Sequence, residues 1–537
     1  MSFGSVHYDG LLLPSWVDTE RLQSQLDIAE QVMDHYRAGR RVVTLEAPTG
    51  VGKSLVAEIV RQRLVQTGWE TRRPGIHRTV YTCTDRDLQR QIARDFPTAQ
   101  MLMGKENYRT QNHPDMTCDL CTRGRDRGCR WCDDFVHCPH QVVKRRAAYA
   151  PLMVTNLSYL LREANSGERS VTGGRDLIVL DECDAVEGWL GAVIEVNVSA
   201  WMRRRLGIGV PRRKTVAASW QGWIQEELIP PLEARWSALG SSEEPKDIKE
   251  RNGIERMLDN LESIDVGENW VYDGYQGHQD GKHPVIFRPI HVDRYAQQLL
   301  WQHAPRFLMM SATVISAAQM AVDLGLEEEE WASVEVDSPF DPARSPIQVR
   351  PVADMSRRAD EREALGAELE RQIAAHPGQR ILVHTVSYNL TQWLQGYLTS
   401  ERIVSYDSAK GKQASLRIYR ERTDAVMLAP SMDRGMSFDD DLARVNIVAK
   451  IPFPSLGDKR IAARLYARGG DGWYAAETVR TLVQALGRTT RSETDWSKGI
   501  ILDRQFVSNI WAKNRGLLPG WFKKRLDMTG RKEPVRD

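Results

Sequence analysis

The sequence lacks any uninterrupted apolar run near the ~20 residues that a bilayer-spanning helix requires, which excludes a helical membrane protein. It also lacks net charge. The 73 Lys and Arg against 72 Asp and Glu leave +1, so any contact with a polyanion has to use a local groove, not a generally basic surface. No internal repeat or low-complexity tract is visible. The opening residues Met1 to Asp9 carry neither the basic stretch nor the apolar run of a secretory signal, and the chain is expected to stay in the cytosol or on the nucleoid. Cysteine is scarce, 7 in 537 residues, and five of the seven lie between Cys118 and Cys138. In a reducing compartment such clustering favours metal ligation over disulfides, whereas Cys83 and Cys183 read as ordinary buried thiols.

What is present belongs to a globular chain: 41% hydrophobic and 27% charged residues, with a length that suggests about three or four units. Leu22, Leu26, Ala29, Val32, Met33 and Tyr36 recur at helical spacing before the apolar run 42–45, and a second helical pattern over 55–64 precedes a strand at 79–82. That order predicts alternating α/β structure around a parallel sheet. Residues 105–150, rich in Cys, Asp, Arg and Gly, break the rhythm and read as an inserted module. Strands at 152–155 and 176–180 resume it, and a Trp-rich, helical-looking stretch over 190–300 reads as a second insertion. A strand at 307–310 then returns to the sheet, and 339–351 reads as a linker. Four further buried strands, at 381–384, 425–428, 445–448 and 499–502, make a second α/β domain. The expected division is 1–104 with 150–190 and 300–340 as the first α/β domain, 105–149 as a cysteine-rich module, 191–299 as a mainly helical insertion and 341–537 as the second α/β domain.

The segment Ala47-Pro48-Thr49-Gly50-Val51-Gly52-Lys53-Ser54 follows a predicted strand and opens a predicted helix, the setting of a phosphate-binding loop. Thr49, Gly50 and Gly52 let backbone N–H groups turn towards phosphate oxygens, Lys53 reaches the outer phosphates of ATP, and the Ser54 hydroxyl is placed to ligate Mg²⁺. Hydrolysis also needs an acidic strand end. Asp181 is assigned to the metal and Glu182 to the attacking water. Positive charge for the γ-phosphate is expected from the far domain, where Gln484 begins a segment carrying Arg488 and Arg491 three residues apart; either arginine fits the role.

Taken in order, Gln25, the loop ending at Lys53-Ser54, Asp181-Glu182-Cys183-Asp184, Ser311-Ala312-Thr313, Ser338-Pro339-Phe340 and Gln484 to Arg491 resemble the motifs of the XPD/DinG family of superfamily 2 DNA helicases. Gly104-Lys105-Glu106-Asn107-Tyr108, Cys138-Pro139, Val154-Thr155-Asn156 and Ile451-Pro452-Phe453-Pro454 match that branch in detail. The resemblance implies two RecA-like P-loop NTPase motor domains, with an iron–sulfur module and a mainly helical arch inserted in the first, and 5′→3′ movement on single-stranded DNA. It further implies that Gln25 reads the adenine, that Ser311 to Thr313 couple hydrolysis to domain movement, and that Asp433 to Phe438 occupy the fifth motif. Two departures stand out. Asp184 replaces the family's histidine, which puts its link between hydrolysis and movement in doubt, and Arg434 precedes Gly435 where an acid is usual.

The five clustered thiols, Cys118, Cys121, Cys129, Cys132 and Cys138, are one more than a [4Fe–4S] cluster needs. By resemblance the ligands would be Cys129, Cys132, Cys138 and one of Cys118 or Cys121. The two Cys-x2-Cys pairs also fit tetrahedral Zn²⁺, and that alternative stays open. Near them, Tyr108, Trp131 and the arginines 123, 125, 127 and 130 offer stacking and charge for single strands, while the basic group from Arg203 to Lys214 reads as a solvated face. The expectation is a monomeric ATP-dependent DNA helicase acting on single-stranded and forked duplex DNA, in a setting such as DNA repair. A translocase that remodels complexes without separating strands, or a nucleotide-switched adaptor, are the rival readings.

Overall fold

The computed structural model describes residues 5–68, 77–84, 86–111, 115–121, 136–165, 170–211, 213, 216–240, 242, 244–264, 269–273, 283–355, 361–408, 411–430, 440–487 and 494–536. Two seven-stranded sheets organise the chain, and every strand pair within each is parallel. This is the two-domain α/β architecture expected from the alternating pattern. Strands such as Val42–Glu46, Thr79–Cys83 and Val445–Val448 are buried along their whole length, as parallel strands covered by helices on both faces must be.

In the first sheet the strands run in the order Trp331–Glu335, Val42–Glu46, Arg306–Ser311, Leu177–Asp181, Thr79–Cys83, Leu152–Asn156, Ala99–Met101. Crossovers between them therefore bring four segments distant in sequence to one sheet edge: the loop after Glu46, the Ser311 turn, the Asp181-Glu182 turn and the segment after Cys83. Ligands of open α/β sheets bind at such carboxyl ends. Apolar clusters fill both faces, one around Val32, Val56 and Tyr81 and the other around Leu160, Leu180 and Phe307. The second sheet runs Ile403–Ser405, Val426–Ala429, Ile381–His384, Val445–Val448, Lys498–Asp503, Ile347–Ala353, Leu526–Asp527.

Three features differ from the sequence reading. Residues 339–351 are not simply a linker, because Ile347–Ala353 pairs in register with Lys498–Asp503 inside the second sheet. The insertion after Val186–Ile194 contains helices, including Pro245–Leu261, but also a three-stranded antiparallel sheet of Val196–Val198, Val285–Pro289 and Trp270–Asp273. Its tryptophans make a core of their own: Trp220 meets Trp223 edge-on at 5.6 Å and stacks on Tyr272 at 4.8 Å. Finally, Arg203 is not part of a solvated face. It is buried on the short helix Ala200–Leu206 and donates to the His283 carbonyl at 2.6 Å, because the insertion's sheet closes over that side of the helix. Arg205 does face outward and pairs with Glu250 at 2.9 Å.

Candidate functional site

The loop after Val42–Glu46 is fixed at its start by the Ala47 N–H, which donates to the Ser311 carbonyl at 3.0 Å, and it ends where the helix Lys53–Gln66 begins. Gly50 and Gly52 both take φ of +89°, a region that side-chain-bearing residues rarely enter. Space imposes the same choice. A Cβ on Gly50 would lie 2.4 Å from Phe340 Cζ, and one on Gly52 2.3 Å from Gln25 Nε2. Phe340 and Gln25 thus close down on the loop, and Arg21 stands 5.8 Å from the Phe340 ring centroid.

Lys53 points its ammonium back at the Ala47 carbonyl at 3.0 Å. Burial lowers its pKa, and the acids Asp181, Glu182 and Asp184 oppose that shift. Asp181, at the end of Leu177–Asp181, is raised by burial and held down by Lys53 and by the Tyr81 hydroxyl, which donates to it at 2.8 Å. The same hydroxyl lies 3.3 Å from Ser54 Oγ, so Tyr81 ties the two oxygens assigned to Mg²⁺ together. Glu182 has φ of +51° and accepts from the Thr84 hydroxyl at 2.7 Å. Gln25 is buried, with Nε2 donating to the Val51 carbonyl at 2.9 Å, while its Oε1 is buried without a hydrogen-bond partner among the described residues. A glycine cradle, a lysine, an acid pair and an orphaned acceptor on one wall suit a nucleotide triphosphate whose base presents a donor.

The far wall comes from the helix Gly470–Leu486 of the second α/β domain. Gln484 Nε2 donates to Asp184 Oδ2 at 2.8 Å and to Thr313 Oγ1 at 3.0 Å, while Ser311 Oγ donates to the other Asp184 oxygen at 2.8 Å. One turn earlier, Arg480 donates to the Thr313 and Val314 carbonyls at 3.2 Å each. Further along the interface, Arg460 pairs with Glu187 at 2.7 Å and the buried Arg464 pairs with Asp323. Arg488 and Arg491 lie outside the described residues.

The structure therefore brings Gln25, Thr49, Gly50, Gly52, Lys53, Ser54, Asp181, Glu182 and Gln484 to two walls of one cleft. Sequence reasoning missed Tyr81, Thr84, Glu46 and Arg480. Thr84 follows the rule that strand ends carry ligand contacts, and Arg480 sits four residues before Gln484, on the same helical face.

Solved structures share this architecture. An XPD helicase superposes with a TM-score of 0.63 at 15% identity, covering 94% of this chain and 98% of that one, and a second XPD structure gives 0.59 at 14%, covering 92% and 98%. The Helicase C-terminal domain family matches residues 369–525. Over 119 residues the chain is 33% identical to the Fanconi anemia group J protein homolog of Gallus gallus, covering 20% of this chain and 9% of that protein. Over 262 residues it is 22% identical to the ATP-dependent DNA helicase DinG of Photobacterium profundum, covering 44% and 37%. The chain thus shares the fold of the XPD structures and carries a match to the Helicase C-terminal domain family over residues 369–525. The matched segments span 9% to 11% of the length of the first curated relatives.

The cysteine-rich segment follows Gly104 to Tyr108. Of its five thiols, Cys129 and Cys132 lie outside the described residues, Cys118 is buried and Cys121 exposed. Burial, with a contribution from the neighbouring Cys138, raises the Cys118 thiol to about 11, against the opposing effect of the His140 backbone N–H. No group of three or more metal-ligating side chains occurs among the described residues. A thiol that receives an amide N–H, as Cys118 does from His140, fits part of a thiolate-held metal site. Cys83 and Cys183 are buried, as expected. Among the described residues, no helix is long and apolar enough to cross a membrane.

Proposed function

We propose that the chain is an ATP-dependent DNA helicase whose two motor domains bind ATP between them. The observation that carries this reading is the Gln484–Asp184–Thr313 contact, which joins the second domain to the wall bearing Lys53, Asp181 and Glu182. In this reading Gln25 Oε1 receives the adenine amino group. Backbone N–H groups of Thr49, Gly50 and Gly52 cradle the phosphates, Lys53 neutralises the outer ones, and Ser54 and Asp181 hold Mg²⁺. Glu182 orients the water, and Arg488 or Arg491 stabilises the charge that develops on the γ-phosphate. Closure of the cleft moves single-stranded DNA 5′→3′ through a monomer and opens forked duplexes.

The cysteine module, over 105–149, is proposed to hold a [4Fe–4S] cluster, with Zn²⁺ as the alternative, drawing on Cys118, Cys121, Cys129, Cys132 and Cys138. The metal would staple a segment too polar to fold on its own core. The segment over 191–299 is proposed as the arch, and 1–104, 150–190 and 300–340 with 341–537 as the two motors.

The test is Lys53→Ala, with hydrolysis of ATP measured with and without single-stranded DNA, alongside strand release from a forked duplex. Turnover should fall to background, and unchanged turnover would sink the assignment. A wild-type chain that hydrolyses ATP on DNA yet releases no strand would make it a translocase.

A further inference from the structure

The turn that follows the strand Arg306–Ser311 is held from two sides. On the side of the phosphate loop, the Ser311 carbonyl accepts the Ala47 N–H at 3.0 Å, and the Ile315 N–H donates to Glu46 Oε1 at 3.1 Å. On the side of the second α/β domain, Arg480 donates to the Thr313 and Val314 carbonyls at 3.2 Å each, and Gln484 to Thr313 Oγ1 at 3.0 Å. Residues 311–315 thus stand between the root of the loop and the other domain, bonded to both.

Ile315 carries the conformational cost of that arrangement. Its φ is +69°, and the Ser316 N–H reaches back across it to the Val314 carbonyl at 2.8 Å. A three-residue turn with a positive central φ is rare and strained, and a β-branched side chain adds to the crowding. Strain of this kind persists only where the surroundings over-determine the backbone. Here the compensation comes from the other domain. The Ile315 side chain is buried in an apolar cluster whose other buried members all lie between Ile347 and Phe522, among them Val479 and Val483 on the helix that carries Arg480 and Gln484. Separating the two domains withdraws that burial and leaves the strain, which favours relaxation of the turn. Relaxation takes the Ile315 N–H away from Glu46, whose next residue opens the phosphate loop.

We propose that Ile315 is a positioning residue for the nucleotide site: docking of its side chain in the second domain stabilises the strained turn, and the turn, through Glu46, holds the root of the phosphate loop. This rests on the reading given above that ATP binds between the two domains. By linkage, whatever weakens the docking weakens ATP binding, and a bound nucleotide favours the docked form.

The experiment uses the full chain with Mg²⁺ and adenylyl imidodiphosphate, an ATP analogue that is not cleaved. Binding is followed by calorimetry, and the radius of gyration by X-ray scattering with and without the analogue, for the wild type, Ile315→Ala and Ile315→Gly. Alanine loses the docking but keeps a Cβ that disfavours positive φ, so Ile315→Ala should bind the analogue roughly tenfold more weakly and scatter as a larger particle. Glycine loses the same contact without the strain and should regain roughly fivefold of that affinity. Lost packing alone gives the opposite order, because glycine adds backbone freedom. Glycine no better than alanine, or an alanine variant that binds like the wild type, overturns the proposal. Melting is recorded for each variant. Arg480→Ala leaves the apolar cluster whole and so tests the same turn even where an Ile315 variant fails to fold: its affinity should fall, and unchanged affinity overturns the proposal as well. A wild type that does not bind the analogue overturns the nucleotide reading instead, while scattering from the free proteins still decides the docking.

Discussion

Gln484 Nε2 on the second α/β domain reaches the Asp184 carboxylate on the first at 2.8 Å, while Ser311 holds the other oxygen of that carboxylate at the same distance. A neutral histidine, the residue that the resemblance leads one to expect here, has one ring acceptor at most; a carboxylate has two oxygens and takes a donor from each side. The departure from the motif therefore leaves a physical link between the Ser311 turn and the second α/β domain.

Removing that link should act on turnover and not on nucleotide binding. Asp184→Ala and Gln484→Ala are each expected to lower DNA-stimulated ATP hydrolysis by roughly tenfold or more, the equivalent of one charge-assisted hydrogen bond of about 1.5–3 kcal/mol. The double variant should be little worse than either single, because both remove the same contact. Steady-state kcat together with nucleotide titration checks this; full additivity would place the two residues in separate roles.

The glycines of the loop give a second expectation. Gly52→Ala needs a left-handed backbone, at about 1–2 kcal/mol, and drives its Cβ to 2.3 Å from Gln25 Nε2. Thermal melting should drop by several degrees and ATP affinity should fall with it. At Gly39, where φ is +88° but no atom lies within 4 Å of the added Cβ, the same substitution should lower melting without touching ATP affinity.

Glu46 supplies a pH dependence. It ends the strand that leads into the loop, accepts the Ile315 N–H at 3.1 Å, and is raised to about 7 by burial, with Glu335 and Asp184 adding to the shift and the Ile315 N–H and Arg480 opposing it. Its folded pKa lies above the ordinary 4.5, so its contribution to stability is fully present below about 4.5 and is lost as pH rises through about 7. Asp323 is also raised, chiefly by burial, although its pairing with Arg464 favours the carboxylate. Glu46→Gln keeps a carbonyl for Ile315 and should melt like the wild type at pH 5 but higher than it at pH 8. Parallel melting curves for the two proteins across that range would refute the role given to Glu46.

Much of the cleft was legible beforehand because its residues sit where local rules are strong. Lys53 and Ser54 follow a strand and open a helix, and Asp181 ends an apolar run. Arg203 was misread because its neighbours Arg204 and Arg205 made a charge run, and nothing local says which arginine of a run turns inward to a carbonyl. Ile347–Ala353 was passed over as linker because prolines flank and interrupt it, yet pairing with Lys498–Asp503 outweighs that local signal. Tyr81 and Thr84 carry no motif at all; they matter because the strand Thr79–Cys83, which holds one and ends just before the other, is the neighbour of Leu177–Asp181.

The sequence by itself determined the two parallel-sheet domains, the phosphate loop and the acid pair, since each depends on periodicity or on residues adjacent along the chain. The tertiary structure alone decided that Gln484 meets Asp184, that Gln25 keeps one buried amide oxygen without a partner among the described residues, and that Cys118 lies beside Cys138. Those relations join residues tens to hundreds of positions apart, and strand order, together with a backbone that folds back between Tyr108 and Cys118, sets their distances.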